Sequence, residues 1–265
     1  MLLTLATRSF ANVLSAAPGD AGEMSVLDLP DYAVNQLCLR GLNVGASILA
    51  GWSLEDLDKL RDRADKAACP CLILIEEAPL HFNGTEKKRM AAIERIKRLA
   101  VAGNRLGCNA ISLRFESPDT DEAFEGIAQE LRALMPAIER HELNILIAPW
   151  KGLTHDPSRL TELLKRIGGF RIGSLPSFAH AAMFDDPRDV LRKLAPYAGA
   201  IHATIDGFDT AGNHTGLDLI AGIEAIRSVG FANTLAIEYV GEGDPTANVE
   251  QARVILEGAI NEEEA

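Results

Sequence analysis

Short apolar runs and amphipathic stretches alternate along this chain eight times, and that alternation leaves few folds open to it. The runs are Leu2–Arg8, Gly41–Gly45, Cys71–Glu76, Ala110–Phe115, Leu143–Pro149, Arg171–Leu175, Gly199–Thr204 and Thr234–Tyr239. Several are apolar on both faces, as strands buried in a parallel sheet must be. Helical periodicity fills the intervals. Ser53 caps a stretch with Leu54, Leu57 and Leu60 at helical spacing, and Glu86 to Leu106 is long and amphipathic. Asp119 to Arg140 carries Phe124, Ile127, Leu131, Leu134 and Ile138 on one stripe. Asp156-Pro157 and Asp186-Pro187 each start a further helix, with proline at the first helical position, where it is tolerated. Leu217 to Val229 and Asn248 to Ile260 complete the set. Repeated strand–helix units predict an α/β fold, a single (β/α)8 TIM-barrel domain over residues 1–265. A doubly wound open sheet is the competing arrangement. It would want a glycine-rich phosphate loop after an early strand, and the sequence has none.

Composition narrows the class of partner. With 47% hydrophobic and 24% charged residues, the chain has material for a full core. A net charge of -12 argues against nucleic acid, which needs clustered Lys and Arg. Cys38, Cys69, Cys71 and Cys108 are too few for a disulfide framework, and the Cys69-Pro-Cys71 spacing is too tight for a C-x-x-C site. Buried free thiols and a cytoplasmic location fit better. No apolar run reaches the roughly 18 residues of a membrane span. The opening Met1–Arg8 lacks the basic region of a signal peptide and reads as the first strand. Ser9 to Asp28, around Pro18-Gly19-Asp20, reads as a loop after that strand, and Glu262–Ala265 as a solvated tail.

Barrels of this kind carry their chemistry at the C-terminal ends of the strands, which selects a short set of residues. Glu238 follows the apolar Leu235-Ala-Ile237, where a carboxylate needs a partner; it is a candidate metal ligand or proton carrier, or else the anion of an ion pair with Arg8 or Arg114. His202 sits between Ile201 and Ala203, either as a ligand or as a satisfied core histidine. His180, in Ser177-Phe-Ala-His180, is placed to donate a hydrogen bond to a bound molecule, or else faces solvent at a helix start. Trp150 offers an aromatic face to a sugar ring, or packs under its loop, and Lys151 a charge to a phosphate or carboxylate. Glu76 and Glu77 end the third run, with His81 nearby; one of the two acids is expected to face inward, and Glu76 is taken as the substrate-binding one. Arg8 and Arg114 are suited to neutralising an anionic group on a substrate, or Glu238 itself.

On these residues the chain resembles the sugar phosphate isomerase/epimerase superfamily, the xylose isomerase-like TIM barrels that also include endonuclease IV. The resemblance is densest from Leu143 to Pro245. It rests on Asp156-Pro-Ser-Arg-Leu-Thr-Glu-Leu-Leu164, on Arg192-Lys-Leu-Ala-Pro-Tyr197 before Ala200-Ile-His202, and on Gly230-Phe231 before Leu235-Ala-Ile-Glu238. The patterns at Asp28–Leu42 and Ser53–Ala67 are similar too. The resemblance implies a divalent metal, often Mn or Mg, held by a Glu after strand five, an Asp after strand six, a His at strand seven and a Glu after strand eight. The two Glu residues of such a set shuttle a proton, and a His three residues past the Asp meets the substrate. His180, His202 and Glu238 match this pattern, whereas Ala148 and Ser177 stand where the first Glu and the Asp belong.

That departure implies either no metal or a weakly held Mn, Mg or Zn on His202 and Glu238. It also removes the second base of a two-base epimerisation. Three functions remain open. One is an enzyme on a sugar or polyol, with Glu238 as base, His202 or His180 polarising a carbonyl, Trp150 stacked on the substrate and Glu76 or Glu77 replacing the lost ligand. Another is a non-catalytic relative that binds a carbohydrate, and the last is an interaction module. A metal on Glu238 and His202 would favour the first, pairing of Glu238 with Arg8 or Arg114 the second, and a large exposed apolar patch the third. A homodimer is implied by the resemblance alone.

Overall fold

A computed structural model describes residues 1–14 and 24–261. The loop segment around Pro18-Gly19-Asp20 and the tail Glu262–Ala265 lie outside the described residues. Eight strands form one parallel sheet: β1 (Leu2–Ala6), β2 (Leu42–Gly45), β3 (Cys71–Ile75), β4 (Ala110–Leu113), β5 (Asn144–Ile147), β6 (Ile172–Ser174), β7 (Ala200–Ile205) and β8 (Thr234–Tyr239). Their order is β6-β5-β4-β3-β2-β1-β8-β7. Parallel bridges Ser174–Ala198 and Ser177–His202 join the two ends of that order. The amides of Gly199 and His202 donate to the carbonyls of Ser174 (3.1 Å) and Pro176 (3.0 Å), and the sheet curls into a TIM barrel. The open doubly wound sheet is thereby excluded. Most strands stop short of the end of the apolar run that announced them. Arg8 and Pro149 fall past the ladder, where the chain turns out to build the mouth.

The helices begin where short polar side chains take up free amide groups. Ser53 and Asp56 form a reciprocal capping box at the start of α2 (Leu54–Lys66), after α1 (Leu29–Asn35). Thr85 caps α3 (Glu86–Leu106), which ends on left-handed Gly107, and Thr120 caps α4 (Asp121–Glu139). Asp156 caps α5 (Pro157–Ile167), Ser177 the short α6 (Phe178–Ala181), Asp186 caps α7 (Pro187–Leu194) and Asp218 caps α8 (Leu219–Arg227). The last helix is α9 (Pro245–Asn261). No helix among the described residues is long and apolar enough to cross a membrane. Leu57 and Leu60 bury as their spacing requires, but Leu54, in the first turn of α2, is 48% exposed.

Strand alternation divides the core in two. Leu3, Leu5, Val44, Ile111, Ile145, Ile201 and Ile237 point outward into the large cluster beneath the helices. Inside the barrel a smaller cluster of Ile73, Ile75, Ala110, Leu146, Ala148, Leu175 and Ala200 fills the space. Above it the inward residues turn polar, and the site begins there.

Candidate functional site

The C-terminal mouth holds a cavity of about 500 Å³. Of the residues singled out from the sequence, Arg8, Arg114, Trp150, Lys151, His180, His202 and Glu238 all line it, as do Ala148 and Ser177. Glu76 does not. It is buried, its carboxylate is paired with Arg95 of α3, and Oε1 accepts the Ala78 amide at 3.2 Å. Strand alternation sends the neighbouring Glu77 inward instead. Glu77 lies across Gly45, where any Cβ would collide with Oε1, and its Oε2 accepts the Ser47 amide at 2.9 Å. His81 stays off the cavity lining.

Glu238 is reached from two sides. His202 Nδ1 lies 3.4 Å from Oε2, and Arg8 Nη1 lies 3.7 Å from Oε1. Desolvation pushes this carboxyl upward. His202, Arg8 and Arg114 outweigh it and hold the group below its ordinary range, so it stays ionised at neutral pH. On the far side of its ring, His202 Nε2 lies 3.1 Å from Asn43 Nδ2. With the amide donating, Nε2 is the acceptor and the proton sits on Nδ1, facing Glu238.

His180 has its backbone amide bound by Ser177 Oγ at 3.1 Å, and its Nε2 donates to the His155 carbonyl at 2.8 Å. Its ring is wedged edge-on against His155 and Phe184, with centroids 5.4 and 5.2 Å away. Burial lowers its basicity and favours the neutral ring. The donor expected for a bound molecule is therefore already used, and the remaining buried Nδ1 is an acceptor without a partner among the described residues. The Trp150 ring carries the Arg114 guanidinium 4.6 Å above its centre, with Lys151 Nζ at 5.9 Å, so a cation already occupies one face.

Five of the lining residues each hold a buried side-chain atom without a hydrogen-bond partner: Asn43 Oδ1, Arg114 Nε, Trp150 Nε1, His180 Nδ1 and Thr204 Oγ1. Native proteins leave few such atoms, so their concentration in the wall of one cavity singles that wall out as a candidate site. Asn43 was not singled out from the sequence. A polar residue between Leu42 and Val44, in an otherwise apolar strand, was the available signal.

The donor set does not fit a hard divalent ion. Ala148 offers no oxygen, Ser177 Oγ is spent as a helix cap, both oxygens of Glu238 face protein cations or donors, and Glu77, the other acid on the lining, has Oε2 taken by the Ser47 amide. Among the described residues no three His, Cys, Asp or Glu side chains are grouped to hold a metal.

A family model described as xylose isomerase-like TIM barrel matches residues 35–258. Among curated proteins, none matches the chain in sequence. Among solved structures, L-ribulose 3-epimerase superposes with a TM-score of 0.81 at 15% identity, over 100% of this chain and 97% of that one. The 3-keto-D-glucoside 4-epimerase of E. coli, in apo form, gives 0.75 at 14% identity, over 97% and 99%. The IOLI protein with a bound zinc atom gives 0.73 at 15% identity, over 99% and 97%. At such identities the likeness speaks for the fold alone.

Proposed function

The chain belongs to the xylose isomerase-like TIM barrel family, and from that premise we propose that its mouth binds a sugar or polyol without the family's metal-dependent two-base exchange. The carrying observation is the polar wall of the cavity, in which five lining residues each keep a polar atom without a partner. Arg114 Nε and Trp150 Nε1 donate, Asn43 Oδ1 and His180 Nδ1 accept, and Thr204 Oγ1 does both. A molecule rich in hydroxyls suits a wall that combines donor and acceptor side chains, and a cavity of about 500 Å³ is of the size for small ligands. The epimerase names among the structural neighbours support the same class of ligand.

The pairing of Glu238 with Arg8 favours a binding protein over a catalyst. A base held ionised by neighbouring cations has lost basicity, Ala148 offers no carboxylate, and the other acid on the lining, Glu77, already accepts the Ser47 amide. A second reading is an enzyme with Glu238 as its single base. One observation favours it: Glu238 and His202 face the cavity together, as a base and a hydrogen-bonded partner would.

Titration calorimetry with a panel of pentoses, hexoses and hexitols tests the reading, followed by NMR of bound sugars in D2O. Binding without carbon-bound deuterium uptake is the expected result. Deuterium uptake abolished in Glu238→Gln would establish the single-base enzyme instead. A panel with no binder, neutral or acidic, would overturn the sugar site.

A further inference from the structure

The cavity is positively lined in an acidic protein. Its ionised side chains are Arg8, Arg114 and Lys151 against Glu77 and Glu238, whereas the whole chain carries -12. Both carboxylates already have partners: Glu238 has His202 and Arg8, and Glu77 has the Ser47 amide. Arg114 has no close ion pair. No carboxylate lies within ion-pair distance of it among the described residues, so Glu238, Glu77 and Glu76 act on it only at longer range, and its guanidinium lies over the Trp150 ring with Nε buried and without an acceptor. A half-buried guanidinium is costly to leave without a close anion, and burial, with the like charge of Arg8, lowers its basicity against the pull of the three more distant carboxylates. Trp150 covers one side of the guanidinium, and the remaining N–H donors suit a planar or tetrahedral anion. Arg8, on the turn after β1, is half exposed and bears on Glu238 at only 3.7 Å, so it can swing to a second anion without breaking a tight bond.

We propose that Arg114, seated on Trp150 and assisted by Arg8, holds an acidic group of the bound molecule, so that the ligand is a sugar acid or sugar phosphate rather than a neutral sugar. This rests on the sugar-binding reading above. The hydroxyls meet Asn43, His180 and Thr204, while the carboxylate or phosphate takes the guanidinium N–H donors.

The test is calorimetry on the full chain with D-fructose, D-fructose 6-phosphate, hexuronic and aldonic acids, and inorganic phosphate. Wild type, Arg114→Gln and Arg8→Gln are compared, with far-ultraviolet circular dichroism to check folding. The expected result is an acidic sugar bound at least tenfold more tightly than its neutral counterpart, with that preference lost in Arg114→Gln and reduced in Arg8→Gln. Which acidic ligand wins separates carboxylate from phosphate. Equal binding of neutral and acidic sugars would overturn the anion site and leave the sugar site standing. Inorganic phosphate bound as tightly as any sugar phosphate, and lost in Arg114→Gln, would uphold the anion site and overturn the sugar reading. If Arg114→Gln does not fold, an unchanged preference in Arg8→Gln, with no weakening as salt rises, overturns the proposal.

Discussion

Asn43 on β2 and His202 on β7 meet across the inside of the barrel, Nδ2 to Nε2, at 3.1 Å. Both are buried, and the contact sets which nitrogen of the ring faces Glu238. Replacing Asn43 by Leu leaves His202 Nε2 buried without a partner, at a cost of about 1–3 kcal/mol. Urea unfolding reads that cost. The double variant with His202→Leu is expected to lose less than the sum of the two single changes, because the pair is coupled. Additive losses would show that the contact carries no energy.

Ala148 and Ser177 stand where the family resemblance expects two carboxylates, and restoring both tests whether their loss governs metal binding. Wild type and Glu238→Ala, purified without chelator, are both expected to lack stoichiometric Mn, Mg or Zn by elemental analysis. Ala148→Glu with Ser177→Asp returns two carboxylates to the cavity lining and keeps a capping residue before α6. The double variant is expected to bind Mn near one equivalent by calorimetry. A folded double variant that binds none would show that these two positions do not converge with His202 and Glu238.

His180 gives the fold a pH dependence of known sign. Its burial lowers its folded-state pKa from the ordinary 6.5. Between those two values the unfolded chain binds the extra proton and the folded one does not, so this contribution is complete above about pH 6.5 and is lost as pH falls through the folded value. Urea midpoints at pH 7.5 and 5.5 are expected to fall with acid, and to fall less in His180→Gln. An identical drop in both proteins would assign the acid sensitivity elsewhere.

The thiols divide three to one. Burial pushes Cys69 up to about 11 and Cys71 up to about 12, and raises Cys108 as well, while Cys38 is exposed. Thiolate is the reactive form. A disulfide-exchange reagent at pH 8 is therefore expected to titrate about one thiol in the native protein and four in denaturant. Fast reaction of more than one native thiol would contradict the packing of β3 against β4.

Much of this molecule was legible in the chain itself. Alternation of apolar runs with capped amphipathic stretches is a local pattern, and it yields β-strands and helices wherever it recurs, so the barrel follows from residues read a few at a time. Proline after Asp156 and Asp186, and the stripe of Phe124 to Ile138, mark α5, α7 and α4 in this way. The positions of Ala148 and Ser177 at strand ends could also be read directly, because chemistry collects at one end of each strand.

What each polar side chain does with its neighbours was decided only by closure of the barrel. The choice of Glu77 over Glu76 for the cavity turns on strand direction and on the bare backbone of Gly45. Asn43 meets His202 across 159 residues of sequence. His180 spends its donor on the carbonyl of His155, and Arg114 lies on Trp150 rather than on a carboxylate. These contacts join side chains from different strands, loops and helices, and their energies exist only once desolvation has made each unpaired charge or amide costly. A linear pattern carries hydrophobic periodicity because that is a property of neighbours along the chain, whereas the pairing of buried polar groups is a property of neighbours in space.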